Sequence, residues 1–180
     1  MKPIQLETER LFLKSVTPKF VHHLFETKSK AQIMSILGLD ETGFEKYKEM
    51  HESGMETYQL SFHFFVLVEK ASQLSIGECG FHTWNKKHAR AELFYSLKNE
   101  EFKQRGFMKE ALGEVLKFGF VQMQLHRIEA LIAAWNTPSL KLVSRFGFTF
   151  EGTMKEDYFY QGKYEDSNCY ALLRRDWDCC

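Results

Sequence analysis

The run Lys103-Gln104-Arg105-Gly106-Phe107-Met108-Lys109 places cationic side chains and a glycine in a polar turn that leads into residues of helical spacing. A helix opening from such a turn leaves its first backbone N–H groups without intrahelical acceptors. Those donors, with the positive end of the helix dipole, suit a phosphate group. Lys103, Arg105 and Lys109 reinforce the charge. The chemistry implied is capture of a phosphorylated cofactor by backbone amides. Taken alone, the same run also describes a plain strand-to-helix turn that uses glycine for tightness. It lacks the Gly-Lys-Ser/Thr loop that nucleoside triphosphate sites need.

Other reactive side chains point to less. His22, His23, His51, His63, His82, His88 and His126 show no pairing at metal-ligand spacing. His63 lies in the apolar run Phe62-His63-Phe64-Phe65, where a satisfied core or cleft histidine is expected. None of Cys79, Cys169, Cys179 and Cys180 forms a Cys-x-x-Cys pair, which sets aside zinc and thioredoxin chemistry. Cys79 falls in a strand-like segment, where a free thiol is usually inert. Cys179-Cys180 read as the end of a frayed tail covering about 175–180.

Periodicity supplies the elements that must hold the loop. Glu9 to Lys14 reads as a strand with Leu11 and Leu13 on one face. Thr17-Pro18 then predicts a helix N-cap followed by proline at the first helical position. Ile33 to Met55 reads as one or two further helices, with breaks at Gly38 and Gly54. Phe62–Glu69, Leu74–Trp84 and Ala91–Leu97, joined by short polar turns, predict an antiparallel meander. Met108, Ala111, Leu112, Val115 and Phe118 predict a helix from Gly106 to Gln122. Arg127–Ala133 is the next strand, and a helix crossover makes it a parallel neighbour of Ala91–Leu97. A shorter helix over Pro138–Phe146 precedes strands near Phe148–Gly152 and Asn168–Leu173.

A chain of 180 residues, 44% hydrophobic and carrying 17 Phe, suffices for one α/β domain over 1–180 with a substantial core. The charge is balanced, 24 basic against 24 acidic residues, which argues against nucleic-acid or membrane-surface binding. Met1-Lys2-Pro3-Ile4 opens no apolar leader, and no run reaches membrane-spanning length. A cytoplasmic protein is expected.

The ordered set of motifs resembles the GNAT N-acetyltransferases, and within them the branch of ribosomal-protein N-terminal acetyltransferases. Leu6-Glu7-Thr8-Glu9-Arg10-Leu11-Phe12-Leu13 is similar to that branch's first strand, and Ala91-Glu92-Leu93-Phe94-Tyr95-Ser96-Leu97 to its fourth. Asn136-Thr137-Pro138-Ser139, Phe146-Gly147-Phe148, Glu151-Gly152, Tyr164-Glu165-Asp166, Tyr170-Ala171-Leu172-Leu173 and Asp176-Trp177 follow in the branch's order. The resemblance covers nearly the whole chain.

It implies a single-domain mixed sheet, mostly antiparallel, flanked by helices and splayed at a central parallel pair. It implies direct acetyl transfer from acetyl-CoA, without metal, to a primary amine. The amine would be a protein or peptide N-terminus first, or a small molecule such as a polyamine, an amino acid or an antibiotic. The family loop pattern Gln/Arg-x-x-Gly-x-Gly/Ala falls on Lys103, Gly106 and Met108, so its two ends depart from the pattern. The resemblance assigns the CoA pyrophosphate to amides of Lys103, Gln104, Arg105, Gly106, Phe107, Met108 and Lys109. Asn136 would contact the pantetheine arm. Glu92 would accept the amine proton, and a backbone N–H between Phe94 and Leu97 would hold the oxyanion. The tyrosine that many members use as general acid is replaced by Val143, which leaves Ser139, or a water, to protonate the thiolate.

Each residue also has a plain structural reading. Glu92 would point to solvent on an alternating strand, Asn136 would cap a helix, and Ser139 would sit in a first turn. The aromatic hairpin Tyr158-Phe159-Tyr160 would border the acceptor or simply pack. An exposed aromatic surface would serve a homodimer or the acceptor. A non-catalytic acyl-CoA sensor is the rival class, favoured by Val143, Lys103 and Met108.

Overall fold

The computed structural model describes residues 4–177. Strand β1 (Gln5–Glu7) turns directly into β2 (Leu11–Val16), whose Leu11 and Leu13 are fully buried. Three helices follow, each with a chemical start signal. In α1 (Pro18–Thr27), Thr17 accepts a hydrogen bond from the Phe20 N–H at 3.3 Å, and proline occupies the first turn. Helix α2 (Lys30–Leu37) begins with a reciprocal Ser29–Gln32 capping box and stops at Gly38, whose φ of 66° is left-handed. Helix α3 (Glu41–Ser53) is capped by Asp40.

The meander comprises β3 (Leu60–Glu69), β4 (Ser75–Asn85) and β5 (Arg90–Leu97). Helix α4 (Phe107–Lys117) continues into a π-helical turn over Phe118–Gln122. The widened turn lies where Gly119 meets Phe81, so closely that an added Cβ would fall 2.6 Å from the ring. Next come β6 (Arg127–Ala133), α5 (Thr137–Arg145), β7 (Thr149–Tyr160), β8 (Lys163–Leu173) and α6 (Arg174–Trp177).

These strands form one eight-stranded sheet in the order β1-β2-β3-β4-β5-β6-β8-β7. All neighbours are antiparallel except β5 and β6. That parallel pair is short: Arg90, Ala91 and Glu92 pair with Arg127, Ile128 and Glu129, and the ladder ends there. Beyond Glu92 the two strands splay. The mixed, mostly antiparallel α/β fold is therefore as expected.

The sheet buries a core on each face. One holds Phe65, Phe81, Leu112, Phe120 and Val143 beneath α4 and α5. The other packs Val21, Leu24, Ile33, Leu37 and Phe44 of α1–α3 against Phe62, Phe64 and Val66.

Several boundaries differ from the sequence expectation. Strand β1 is a three-residue edge, too short to leave a periodic signal. Helix α2 begins at Lys30, ahead of the apolar run that announced it. Strands β7 and β8 extend far beyond Gly152 and ahead of Asn168, because polar, exposed residues carry their outer halves as a two-stranded ribbon. Residues 175–177, expected in the tail, belong to α6, and Trp177 stacks on Phe120 with ring centroids 5.1 Å apart. Cys179 and Cys180 lie outside the described residues.

Candidate active site

The loop sits as a bare helix start. Gln104 and Gly106 both adopt left-handed conformations, with φ of 59° and 81°. Gly106 is the N-cap of α4 and has no side-chain oxygen to offer. The Glu110 N–H donates to the Gly106 carbonyl, so the amides of Phe107, Met108 and Lys109 precede the first helical hydrogen bond. The side chains of Phe107 and Met108 are buried, which leaves only their backbone for a ligand.

Two of the expected cations are already engaged. Lys103 pairs with Glu100, and Arg105 with Glu69 at 3.5 Å. Lys109 has no carboxylate partner among the described residues. A cation not singled out from the sequence joins them: the Arg10 guanidinium lies 4.4 Å from the centre of the Phe107 ring and donates to the Arg105 carbonyl at 2.9 Å. Glu110 holds Arg10 in place, accepting from its backbone N–H and its Nε at 2.7 Å each, and also from the Thr8 hydroxyl. The β1–β2 corner is thereby tied to the N-terminal end of α4.

A cavity of about 430 Å³ opens where β5 and β6 part. Glu92 and Tyr95 from β5, Asn136 and Ser139 from the start of α5, and Asp157 and Tyr158 from β7 line it. The structure thus brings Glu92, Asn136 and Ser139 together. The amides from Lys103 to Lys109 stand apart, off the cavity wall.

Glu92 is half-buried, and its pKa is pushed up to about 7 by that burial, helped by the negative charges of Glu129 and Asp157. His82 Nε2 lies 3.6 Å from Glu92 Oε1, and burial holds the pKa of this imidazole below its usual range. Glu129 does not share the wall. It is held by Arg90 and Arg127, and Arg127 in turn grips Glu151 through two hydrogen bonds of 2.8 and 2.6 Å. The Glu151 motif residue therefore ties β6 to β7.

Backbone alternation locates the free donors of β5. The Lys98 N–H donates to the Ile76 carbonyl, which turns Ser96, Phe94 and Glu92 toward β4. Leu93, Tyr95 and Leu97 turn the other way, toward a β6 that has already splayed. The oxyanion range of Phe94 to Leu97 thus narrows to the N–H groups of Tyr95 and Leu97, and excludes Phe94.

Asn136 caps α5, its Oδ1 accepting from the Ser139 N–H at 3.3 Å, and its amide nitrogen remains available. Val143, at the position of the missing tyrosine, is completely buried. Tyr95, considered in the sequence only for its backbone N–H, provides a phenol nearby. Its hydroxyl is buried beside Ser139 without completing a hydrogen bond, and burial raises its pKa. The Tyr158 hydroxyl is likewise buried and unsatisfied. Unpaired buried hydroxyls are costly, so each of these two is open to a partner such as water or a bound molecule. Asp157 and the Tyr95 phenol were missed because their sequence contexts, an exposed ribbon and a strand end, carry no chemical signal.

The remaining reactive groups are quiet. Burial pushes the Cys79 thiol up, away from the thiolate range. His63 is buried, bonded to the Ser15 hydroxyl at 2.8 Å and lowered to about 4 by desolvation. Among the described residues, no group of three or more His, Cys, Asp or Glu side chains could hold a metal ion, and no helix is long and apolar enough to cross a membrane.

The splayed parallel pair and the bare helix start describe an acyl-CoA transferase fold, and comparison with known proteins agrees. The acetyltransferase (GNAT) domain matches residues 10–149. The chain belongs to the GNAT family and is an acetyl-CoA-dependent N-acetyltransferase. It is 30% identical over 176 residues to the uncharacterized N-acetyltransferase YoaA of Bacillus subtilis, covering 97% of this chain and 98% of that one. A solved spermidine N-acetyltransferase from Vibrio cholerae, in complex with CoA and spermine, shares the fold with a TM-score of 0.69 at 23% identity, covering 93% of this chain and 98% of that one. The ribosomal-protein-S5-alanine acetyltransferase of Vibrio fischeri gives a TM-score of 0.69 at 20% identity, covering 97% and 98%.

Proposed function

We propose that this enzyme transfers the acetyl group of acetyl-CoA directly to a primary amine in the cavity between β5 and β6, with Glu92 as the base. The acceptor is an amine borne on an extended chain, a peptide N-terminus or a polyamine. The observation that carries this reading is the half-buried Glu92, whose pKa of about 7 lets it take a proton near neutral pH.

In this reading the CoA pyrophosphate rests on the amides of Phe107, Met108 and Lys109, with Lys103, Gln104, Arg105 and Gly106 shaping the turn and Arg10 adding charge. The pantetheine passes the Asn136 amide and the edge of β5 at Leu97. The amine nitrogen attacks the thioester carbon while Glu92 removes its proton, directly or through water. The oxyanion is held by the Tyr95 N–H. The carbon–sulfur bond then breaks, and the departing thiolate takes a proton from the Tyr95 hydroxyl, with Ser139 beside it. A phenol is a far stronger acid than an aliphatic hydroxyl, so Tyr95 supplies what Val143 cannot. Solvent restores the phenol. A cysteine-bound intermediate is disfavoured, because the Cys79 thiol is buried and held protonated. Dependence on acetyl-CoA suits a cytoplasmic setting.

The test is thiol release from acetyl-CoA with a panel of amines and of peptides beginning with alanine or serine. Turnover that falls on changing Glu92 supports the proposal. Tight CoA binding with no turnover on any acceptor would instead favour an acyl-CoA sensor.

A further inference from the structure

A second and larger cavity, about 730 Å³, lies between the sheet and helices α2–α3. It meets the catalytic cavity at His82 and Phe94, which line both. The strand register explains the shared wall. Glu92 pairs with His82, Phe94 with Gly80 and Ser96 with Glu78, so all six residues present one face of the β4–β5 ladder. Glu92 stands at one end of this row and Glu78 at the other. Four residue steps separate them along the strand, roughly 13 Å at the usual strand rise.

Glu78 has no hydrogen bond or ion pair among the described residues, although it is largely buried. Burial raises its pKa, and Lys46 and Lys98 offset the rise only in part. Neither lysine comes within ion-pair distance. The Lys98 ammonium, on the wall of the same cavity, donates instead to the Gly38 carbonyl and to the Ser75 hydroxyl at 2.9 Å. Lys46 is exposed on α3. Asp40 is occupied as the α3 cap, and Tyr47 faces Glu78 with its phenol held protonated. The stretch between the two carboxylates is walled by Phe62, Phe64, Phe94 and Met50. A carboxylate that makes no direct ion pair or hydrogen bond among the described residues, at the end of an aromatic-walled cavity, is a place for an ammonium group.

We infer that Glu78 binds a second cationic group of the acceptor, carried roughly 13 Å from the amine that reacts at Glu92. This rests on the proposed amine acetyltransferase reading and names its substrate class: a flexible, mainly apolar chain with a cation at each end. A polyamine supplies such a chain, and so does a peptide with lysine a few residues from its N-terminus.

The experiment measures kcat/KM by thiol release with acetyl-CoA for paired acceptors. One pair is a ten-carbon α,ω-diamine and decylamine. The other is Ala-Gly-Gly-Lys-amide and Ala-Gly-Gly-Gln-amide. The doubly charged member of at least one pair should be favoured at least ten-fold, and the pair that shows it identifies the source. Glu78→Gln should bring the two members of that pair together through KM, while Glu78→Asp keeps part of the difference. Equal rates within both pairs, with turnover intact, overturn the Glu78 subsite and leave the amine acetyltransferase standing. Absence of turnover with every amine overturns the reading beneath it.

Discussion

Glu92 draws its reactivity from neighbours that are remote in sequence. Burial is the main cause of its raised pKa, and Glu129 and Asp157 add to it. Its folded pKa lies above its ordinary value, so the folded state holds this proton more tightly than the unfolded chain. Glu92 therefore favours folding at low pH, and that contribution is lost as pH rises through about 7. Glu92→Gln should consequently flatten the decline of stability with rising pH over this window, as read by urea unfolding at several pH values. The same substitution should lower kcat/KM about 10²–10⁴-fold. At the thiolate, Tyr95→Phe should reduce kcat about 10²-fold with little change in CoA affinity, measured by thiol release and by calorimetric titration. Ser139→Ala should cost less. The sequence offers Glu92 only as a strand carboxylate equally suited to solvent. Its burial depends on β6 and β7, and no local pattern reports them. The Tyr95 phenol was hidden for the same reason, since its proposed role rests on its place beside Ser139.

At the scale of elements, two starts and one separation matter. Helix α4 begins without a side-chain cap, so Gly106 must hold a left-handed turn that keeps the first amides open. Gly106→Val places a β-branched residue at φ 81°, which costs about 1–2 kcal/mol of strain in that conformation. It should weaken CoA binding about ten-fold in a titration, with a smaller effect on folding. Glu110 braces this start from inside. Burial acts to raise its pKa, but hydrogen bonds from Thr8 and Arg10 outweigh that and hold it below its usual value. Its contribution to stability is therefore present above the unfolded carboxylate range and lost as pH falls through the folded pKa. Glu110→Gln should destabilise the protein by about 1.5–3 kcal/mol at neutral pH and by less in acid, as urea unfolding would show. The α4 start was legible because glycine, charge and helical spacing coincide within a few residues. The long β7–β8 ribbon was not, because its outer halves are polar and exposed and owe their strand form to pairing rather than to burial.

For the whole molecule, the splay of one parallel pair connects the two faces of the sheet. The proposed donor site lies on the α4–α5 side, and the cavity that reaches Glu78 lies on the side covered by α1–α3. Acetyl transfer would take place where they meet, at the β5–β6 opening. The mixed sheet was legible in outline, since the meander, the crossover helix and the ordered motifs each constrain it. The second cavity was not, because it depends on Gly38 ending α2 against Ser75 and Lys98. The central claim, transfer with Glu92 as the base, is tested most directly by the pH dependence of kcat/KM for acetyl-CoA-dependent thiol release with a reactive amine acceptor. The wild-type enzyme should lose activity as pH falls through an apparent pKa of about 7, and Glu92→Gln should be slow and without that acid limb. An acid limb that persists unchanged in Glu92→Gln at near wild-type rates would contradict the account.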